Sequence, residues 1–195
     1  MPDTQNFSCR CCGAAVASDA IECSYCQNPV RITTFESVWS LPAPTVNKYL
    51  ASYKNSAASD PAGEASASIA FCYLKLGLYD KARQAFEDAM AENFNNAEIF
   101  FYASICCLNG KKAFLAPRRA IDQAIDYVEA AKMIEPRAIY DYLLAYIKLD
   151  FFDRKGYRIS PDHEEELTSA QAKGLAGEDI SLLYGVLGVE RPDGL

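Results

Sequence analysis

Cys9, Cys12, Cys23 and Cys26 stand in the chain as C-x2-C-x10-C-x2-C. At that spacing two tight turns each present a pair of thiolates to one tetrahedral ion, which is the donor set of a zinc site. The roughly thirty residues around them are too few to bury a self-sufficient core. Metal binding would therefore supply most of their folding free energy, about 10–16 kcal/mol in comparable peptides. A centre closed by four sulfurs has no open position for water or substrate, so the single Zn2+ expected here is structural. Cys11 lies inside the first turn. Gly13, directly after Cys12, favours Cys9 and Cys12 as the ligands because it lets backbone amides approach the sulfur, and Cys11 is read as a bystander. Cys72, Cys106 and Cys107 fall in apolar helical stretches and read as small core hydrophobes, with a second metal site or a redox switch as the alternative.

Few other residues could do chemistry. His163, the only histidine, is followed by Glu164, Glu165 and Glu166 in the first turn of an expected helix. Negative charge there complements the helix dipole, so a solvated helix start accounts for the run without a metal or general-base site. Asp122 and Asp126 share a helix face, but Arg118 and Arg119 one turn earlier are salt-bridge partners for them. The chain contains no Gly-rich phosphate loop, nucleophile elbow or Cys-His dyad, so no catalytic residue and no enzyme activity are expected.

Half of the 195 residues are hydrophobic, which suits one sizeable core plus a small appendage. No apolar run approaches the ~18 residues that span a bilayer, and Met1 to Asn6 lacks the basic start and apolar centre of a signal peptide. With thiols that suit a reducing compartment, a cytoplasmic protein is expected. The formal net charge of −7 repels nucleic acid at long range. Residues 1–33 carry only Arg10 and Arg31 against Asp3, Asp19 and Glu22, so nucleic-acid binding by this segment is disfavoured.

Ala14 to Val16 and Pro29 to Ile32 are the strand candidates around the cysteines. Together with Gly13, Asp19, Ala20 and the four ligands, this stretch resembles the short bacterial zinc ribbons that occur singly or as halves of double zinc ribbons; Gln27 departs from the glycine usual after the last cysteine. Residues 34–44 end in Leu-Pro-Ala-Pro and read as an extended linker. Thr45 then caps a helix from Val46 to about Asn55, with Val46, Tyr49, Leu50 and Tyr53 on one face. From Asp60, an N-cap with Pro61 behind it, the chain becomes strongly helical. The stretch Ser66 to Ala89 resembles a tetratricopeptide repeat, with Ala70, Tyr73, Leu76, Gly77, Tyr79, Ala82, Phe86 and Ala89 on the positions where that family packs its two helices. A second, degenerate repeat runs from Ala97 to Pro136, carrying Phe100, Ala103, Ser104 and Cys107, then Ala124, Val128 and Ala131, with roughly eight residues inserted around Lys111 to Arg118. A third first-helix spans Ala138 to Arg154, followed by helices from Ser160 to about Lys173 and from Asp179 to Leu187. The expected architecture is mainly α: a small N-terminal β zinc ribbon (1–33), a linker (34–44), and a TPR-like domain of antiparallel helical hairpins with capping helices (45–195).

The repeat resemblance implies a peptide-binding groove lined by one face of the first helices. By register that face is Phe71, Leu74 and Lys75, then Phe101, Ile105 and Leu108, then Tyr140, Leu144 and Ile147. So apolar a surface has to be covered. Either the chain covers it, with Val46 to Tyr53 or with the C-terminal stretch carrying Ile180, Leu183 and Leu187, or an external helix or second copy docks there. Lys111, Lys112, Arg118 and Arg119 in the insertion, and Arg154, Lys155 and Arg158 after the third first-helix, form two basic clusters interleaved with Phe114, Phe151, Phe152 and Tyr157. They either make one positive rim for an acidic partner or anionic head group, or neutralise Asp122, Asp126, Asp150 and Asp153. These readings combine into a non-catalytic zinc-binding adaptor that mediates protein association, self-association included. The alternative is a nucleic-acid-associated regulator using the ribbon or the rim.

Overall fold

In the computed structural model, which describes residues 7–17, 20–56 and 64–195, Phe7–Ser8 (β1) pairs antiparallel with Ala15–Val16 (β2) in the register Phe7 with Val16 and Ser8 with Ala15. Pro29 to Ile32 does not form the expected strand; Pro29 makes a single bridge to Glu22. The reason lies in the hydrogen bonds that follow it. Val30 N donates to Ile21 O at 2.8 Å, while Ile32 N leaves the ribbon and donates to the Tyr53 hydroxyl at 2.7 Å. Asp19 and the helix start expected at Asp60 and Pro61 lie outside the described residues.

The chain separates into two compact units, Met1–Glu92 and Asn93–Leu195. In the first, residues 34–44 are not an extended connector. They contain the short helix Glu36–Trp39 (α1), with Phe35, Val38 and Leu41 buried at a spacing of three. Phe35 sits 5.6 Å from Trp39 and 6.4 Å from Phe71, so apolar burial overrides the extended preference of the proline pair. The next helix, Ala43–Ser56 (α2), begins before Thr45, because Thr45 N and Val46 N both donate to Pro42 O at 2.9 and 3.1 Å. Pro44 falls in the first turn, where a missing donor costs nothing. Val46, Tyr49, Leu50 and Tyr53 are buried as their spacing predicts. Glu64–Lys75 (α3) and Tyr79–Glu92 (α4) form a helical hairpin. Gly77 at its turn has φ +68°, and Leu78 N donates back to Tyr73 O at 2.9 Å, a left-handed helix end that a β-carbon would strain. Ala70, Ala82, Phe86 and Ala89 are all buried in it.

In the second unit Ala97–Leu108 (α5) pairs with Arg118–Ile134 (α6), and Ala138–Ile147 (α7) with His163–Ala172 (α8), while Gly177–Leu187 (α9) completes it. Asn96 caps α5 by accepting from Glu98 N at 3.1 Å. The inserted residues between α5 and α6 turn through left-handed Asn109 and Gly110 into a 3-10 turn at Ala113–Leu115. α5 and α7 are buried nearly all round, as their predominantly apolar sequences require. The helix expected to run to Arg154 is α only to Ile147; Lys148–Phe152 continue as a π-helical turn and Asp153–Lys155 as a 3-10 turn that Gly156 ends. α8 is capped by Asp162 rather than Ser160. Asp162 accepts from Glu165 N at 2.9 Å while the Glu165 carboxylate accepts from Asp162 N at 2.8 Å.

The acidic run of α8 is not wholly solvated. Glu166 is 3% exposed and its carboxylate lies 2.5 Å from Lys148 Nζ and 3.4 Å from Lys132 Nζ. Lys132 also reaches buried Asp141 at 3.0 Å, and Lys173 pairs with the other oxygen of Asp141 at 2.5 Å. Burial alone would lower the Lys132 ammonium, but its hydrogen bond to Asp141 and the charges of Glu166 and Glu129 hold it above its ordinary value. This network ties α6, α7, the π-turn and the two ends of α8 together. Glu166→Ala strands the Lys148 ammonium in a site where it is also 3% exposed, and the expected loss is about 3–5 kcal/mol of unfolding free energy. Glu165→Ala removes only a cap and is expected to cost about 1 kcal/mol. Urea unfolding of both variants checks this; equal costs would show that the buried pair contributes no more than the cap.

Candidate metal centre

The two Cys-x2-Cys turns repeat one backbone device. In the first, Gly13 N donates to Cys9 O at 2.8 Å and Cys9 N to Ala14 O at 2.8 Å; in the second, Gln27 N donates to Cys23 O at 2.8 Å and Cys23 N to Asn28 O at 2.9 Å. Each turn therefore needs a left-handed residue directly after its second cysteine. Gly13 has φ +77° and Gln27 has φ +54°. The missing glycine at 27 removes neither turn nor ligand; it places a side chain on a backbone that disfavours one.

These turns bring the four sulfurs within 4.8 Å of one another. Cys9 Sγ is 3.8 Å from Cys26 Sγ and Cys12 Sγ is 3.7 Å from Cys23 Sγ. Four sulfurs at about 2.3 Å from one ion stand about 3.8 Å apart along each tetrahedral edge. The donor set thus fits a four-coordinate metal ion and, once all four sulfurs bind, leaves it no open position. Cys9 and Cys23 are buried beside Val30, Cys26 is half-buried and Cys12 is exposed. Cys11 packs against the cluster without joining it, and burial together with the neighbouring Cys26 pushes its thiol up.

The metal-free thiols differ. Burial pushes Cys9 up to about 12, outweighing the lowering by the amides of Cys12 and Cys11. Burial also acts to raise Cys26, but the backbone and side-chain amides of Asn28 and the thiols of Cys12 and Cys23 bring it down to about 6. Helices hold the segment from outside. The Tyr49 hydroxyl donates to Pro29 O, Ile32 N donates to Tyr53 at 2.7 Å, and Ser68 Oγ donates to Ile32 O at 2.6 Å. The two arginines of the segment lie on rings, Arg10 5.6 Å over Tyr53 and Arg31 4.4 Å over Phe7.

The other residues singled out by sequence divide into covered and open sets. Phe71, Leu74, Phe101, Ile105, Leu108, Tyr140, Leu144 and Ile147 are all buried. Phe71 lies between Phe35 and Phe86, and Phe101 packs 4.9 Å from Tyr140. Both covering segments considered above are in use: α2 packs on α3, and Tyr184 of α9 meets Tyr142 and Tyr146 at 6.3 and 5.7 Å. These eight residues are core, each buried by helices of its own unit. Cys72, Cys106 and Cys107 are buried, with Cys72 pushed up to about 12 by burial. Lys75 instead lies 4.2 Å over Trp39. Sequence reasoning missed the Lys148 network, whose only signal was one lysine inside the apolar run Ala145 to Phe152.

Fold and site together define a class: a four-cysteine cluster on a two-stranded element, followed by a mainly helical body. No protein-family model and no curated protein matches this chain.

Because ligation requires thiolates, metal affinity should rise with pH across the window from about 6, where Cys26 ionises, to about 12, where Cys9 does. Competition titrations against a chelator at successive pH values check this; an affinity flat between about pH 6 and 8 would mean the thiols are already ionised. A left-handed non-glycine residue costs about 1 kcal/mol. Gln27→Gly should therefore tighten metal binding roughly fivefold and Gly13→Ala weaken it by a similar factor. Shifts of the same sign in the two variants would rule out the left-handed turns as the limit.

Proposed function

We propose that this chain is a non-catalytic, zinc-binding adaptor whose helical body mediates protein association. The observation that carries the reading is the closed four-sulfur cluster hydrogen-bonded onto helices, since it suits a structural ion and offers no place for a substrate. Thiolate donors at this spacing favour Zn2+. The helical hairpins give the tetratricopeptide-like reading its support, with Gly77 at the first turn and small residues Ala70 and Ala82 at the helix contact. Because the apolar first-helix residues are buried in each unit, association on this reading uses an outer surface. The rival reading, a nucleic-acid-associated regulator, is weakened by Arg10 and Arg31 lying on the rings of Tyr53 and Phe7.

Metal analysis of the purified chain should find one zinc per molecule, and Cys23→Ser should lose it while α5 to α9 keep their helicity. In parallel, the intact protein used as bait in a nuclease-treated lysate should retain a specific protein partner. Zinc absent from the native protein would remove the metal assignment. Retention of nucleic acid alone when nuclease is omitted would favour the regulator.

A further inference from the structure

The insertion after α5 folds back so that the two basic clusters become one face. Ala113 N donates to the Tyr146 hydroxyl at 3.2 Å and Phe114 N to Oδ2 of Asp150 at 2.8 Å, which pins the 3-10 turn to the segment after α7. Arg154 and Lys155 of that segment then lie over the Phe114 ring at 4.4 and 5.0 Å, and Arg118 lies 4.9 Å over Phe152. Among the described residues, ion pairs within the fold engage two of these seven cations. Arg154 pairs with Asp150 at 2.6 Å and Arg118 with Asp122 at 2.7 Å. Lys111, Lys112, Arg119 and Arg158 are exposed and make no ion pair among the described residues. Beside them Leu115 is 66% and Tyr157 53% exposed.

We infer that this face binds an acidic protein segment with an apolar or aromatic residue among its carboxylates. The inference rests on the adaptor reading and names the chemistry of its partner. Five of the seven cations make no ion pair among the described residues, and the turn between Lys112 and Arg118 is already held by Asp150 and Tyr146, so this part of the face needs little backbone ordering when it attracts carboxylates. Leu115 and Tyr157 offer apolar surface between the charges, which a side chain of a peptide covers and a phosphate backbone does not. The remainder of a chain of net charge −7 repels an extended polyanion, whereas a short segment engages the face within a screening length of about 8–10 Å.

Fluorescence anisotropy of the full chain tests this with three labelled probes: a Glu/Asp peptide with a central Phe, its Gln/Asn counterpart, and a single-stranded oligonucleotide of equal charge. The acidic peptide should bind best, with the neutral counterpart weaker by about tenfold or more and affinity falling as salt rises. Lys112→Glu with Arg119→Glu and Arg158→Glu should weaken the acidic peptide by about tenfold or more with the helical circular dichroism signal unchanged. The double change Leu115→Ser and Tyr157→Ser should weaken it several-fold with the salt dependence kept. Peptide affinity unmoved by charge reversal, or tighter binding of the oligonucleotide, would overturn the inference. A partner captured equally by the native and charge-reversed chains would also overturn it while leaving the adaptor reading in place. Peptide binding without any lysate partner would support this face and count against the adaptor reading.

Discussion

Convergence of four sulfurs is the constraint on which the N-terminal element depends. Two strands of two residues and one isolated bridge cannot hold residues 7–32 by themselves. Their hydrogen bonds serve chiefly to aim cysteines: each turn closes on its own first cysteine, and the two first cysteines are the most buried of the four. Burial raises the cost of ionising Cys9, whereas the amides of Asn28 and the neighbouring thiols ease it for Cys26. An ion that takes all four as thiolates reverses that cost, so folding and ligation are one equilibrium. The same element is locked outward through Pro29 and Ile32 onto Tyr49, Tyr53 and Ser68, and the helices therefore inherit its geometry.

The second unit is organised by a different constraint. α5 and α7 are buried on nearly every side, so the other helices of the unit pack around them. Registry among these cylinders would be weakly specified by apolar contact alone. Lys148, Glu166, Asp141 and Lys132 add directional contacts that link α6, α7, the π-helical turn and α8. Within each unit the chain's own helices bury the apolar first-helix faces, Phe71 and Leu74 in the first and Phe101, Tyr140 and Leu144 in the second.

That leaves the outside of the insertion. Aromatic rings there act as platforms that hold guanidinium and ammonium groups in place, and Asp150 serves at once as acceptor for the turn and counter-ion for Arg154. A basic face built this way stays basic because only part of its charge is consumed by the fold.

Local chemistry was legible in the chain itself. Cysteine spacing named the four sulfurs that converge, the three- and four-residue spacing of Val46, Tyr49, Leu50 and Tyr53 named a buried helix face, and Gly77 named a helix turn. Each is a property of residues near one another in sequence, where turn geometry and helical period act directly. What lay beyond reach depended on distant residues. The segment 34–44 gained the short helix Glu36–Trp39 with Phe35, Val38 and Leu41 buried because Phe71 was there to receive Phe35, and Glu166 lost its solvent because Lys148 came beneath it. Whether an apolar stripe is groove or core, and whether two basic clusters are one face or two, is decided by which elements meet. Spacing determines what a segment can present; only tertiary packing determines what it is presented to.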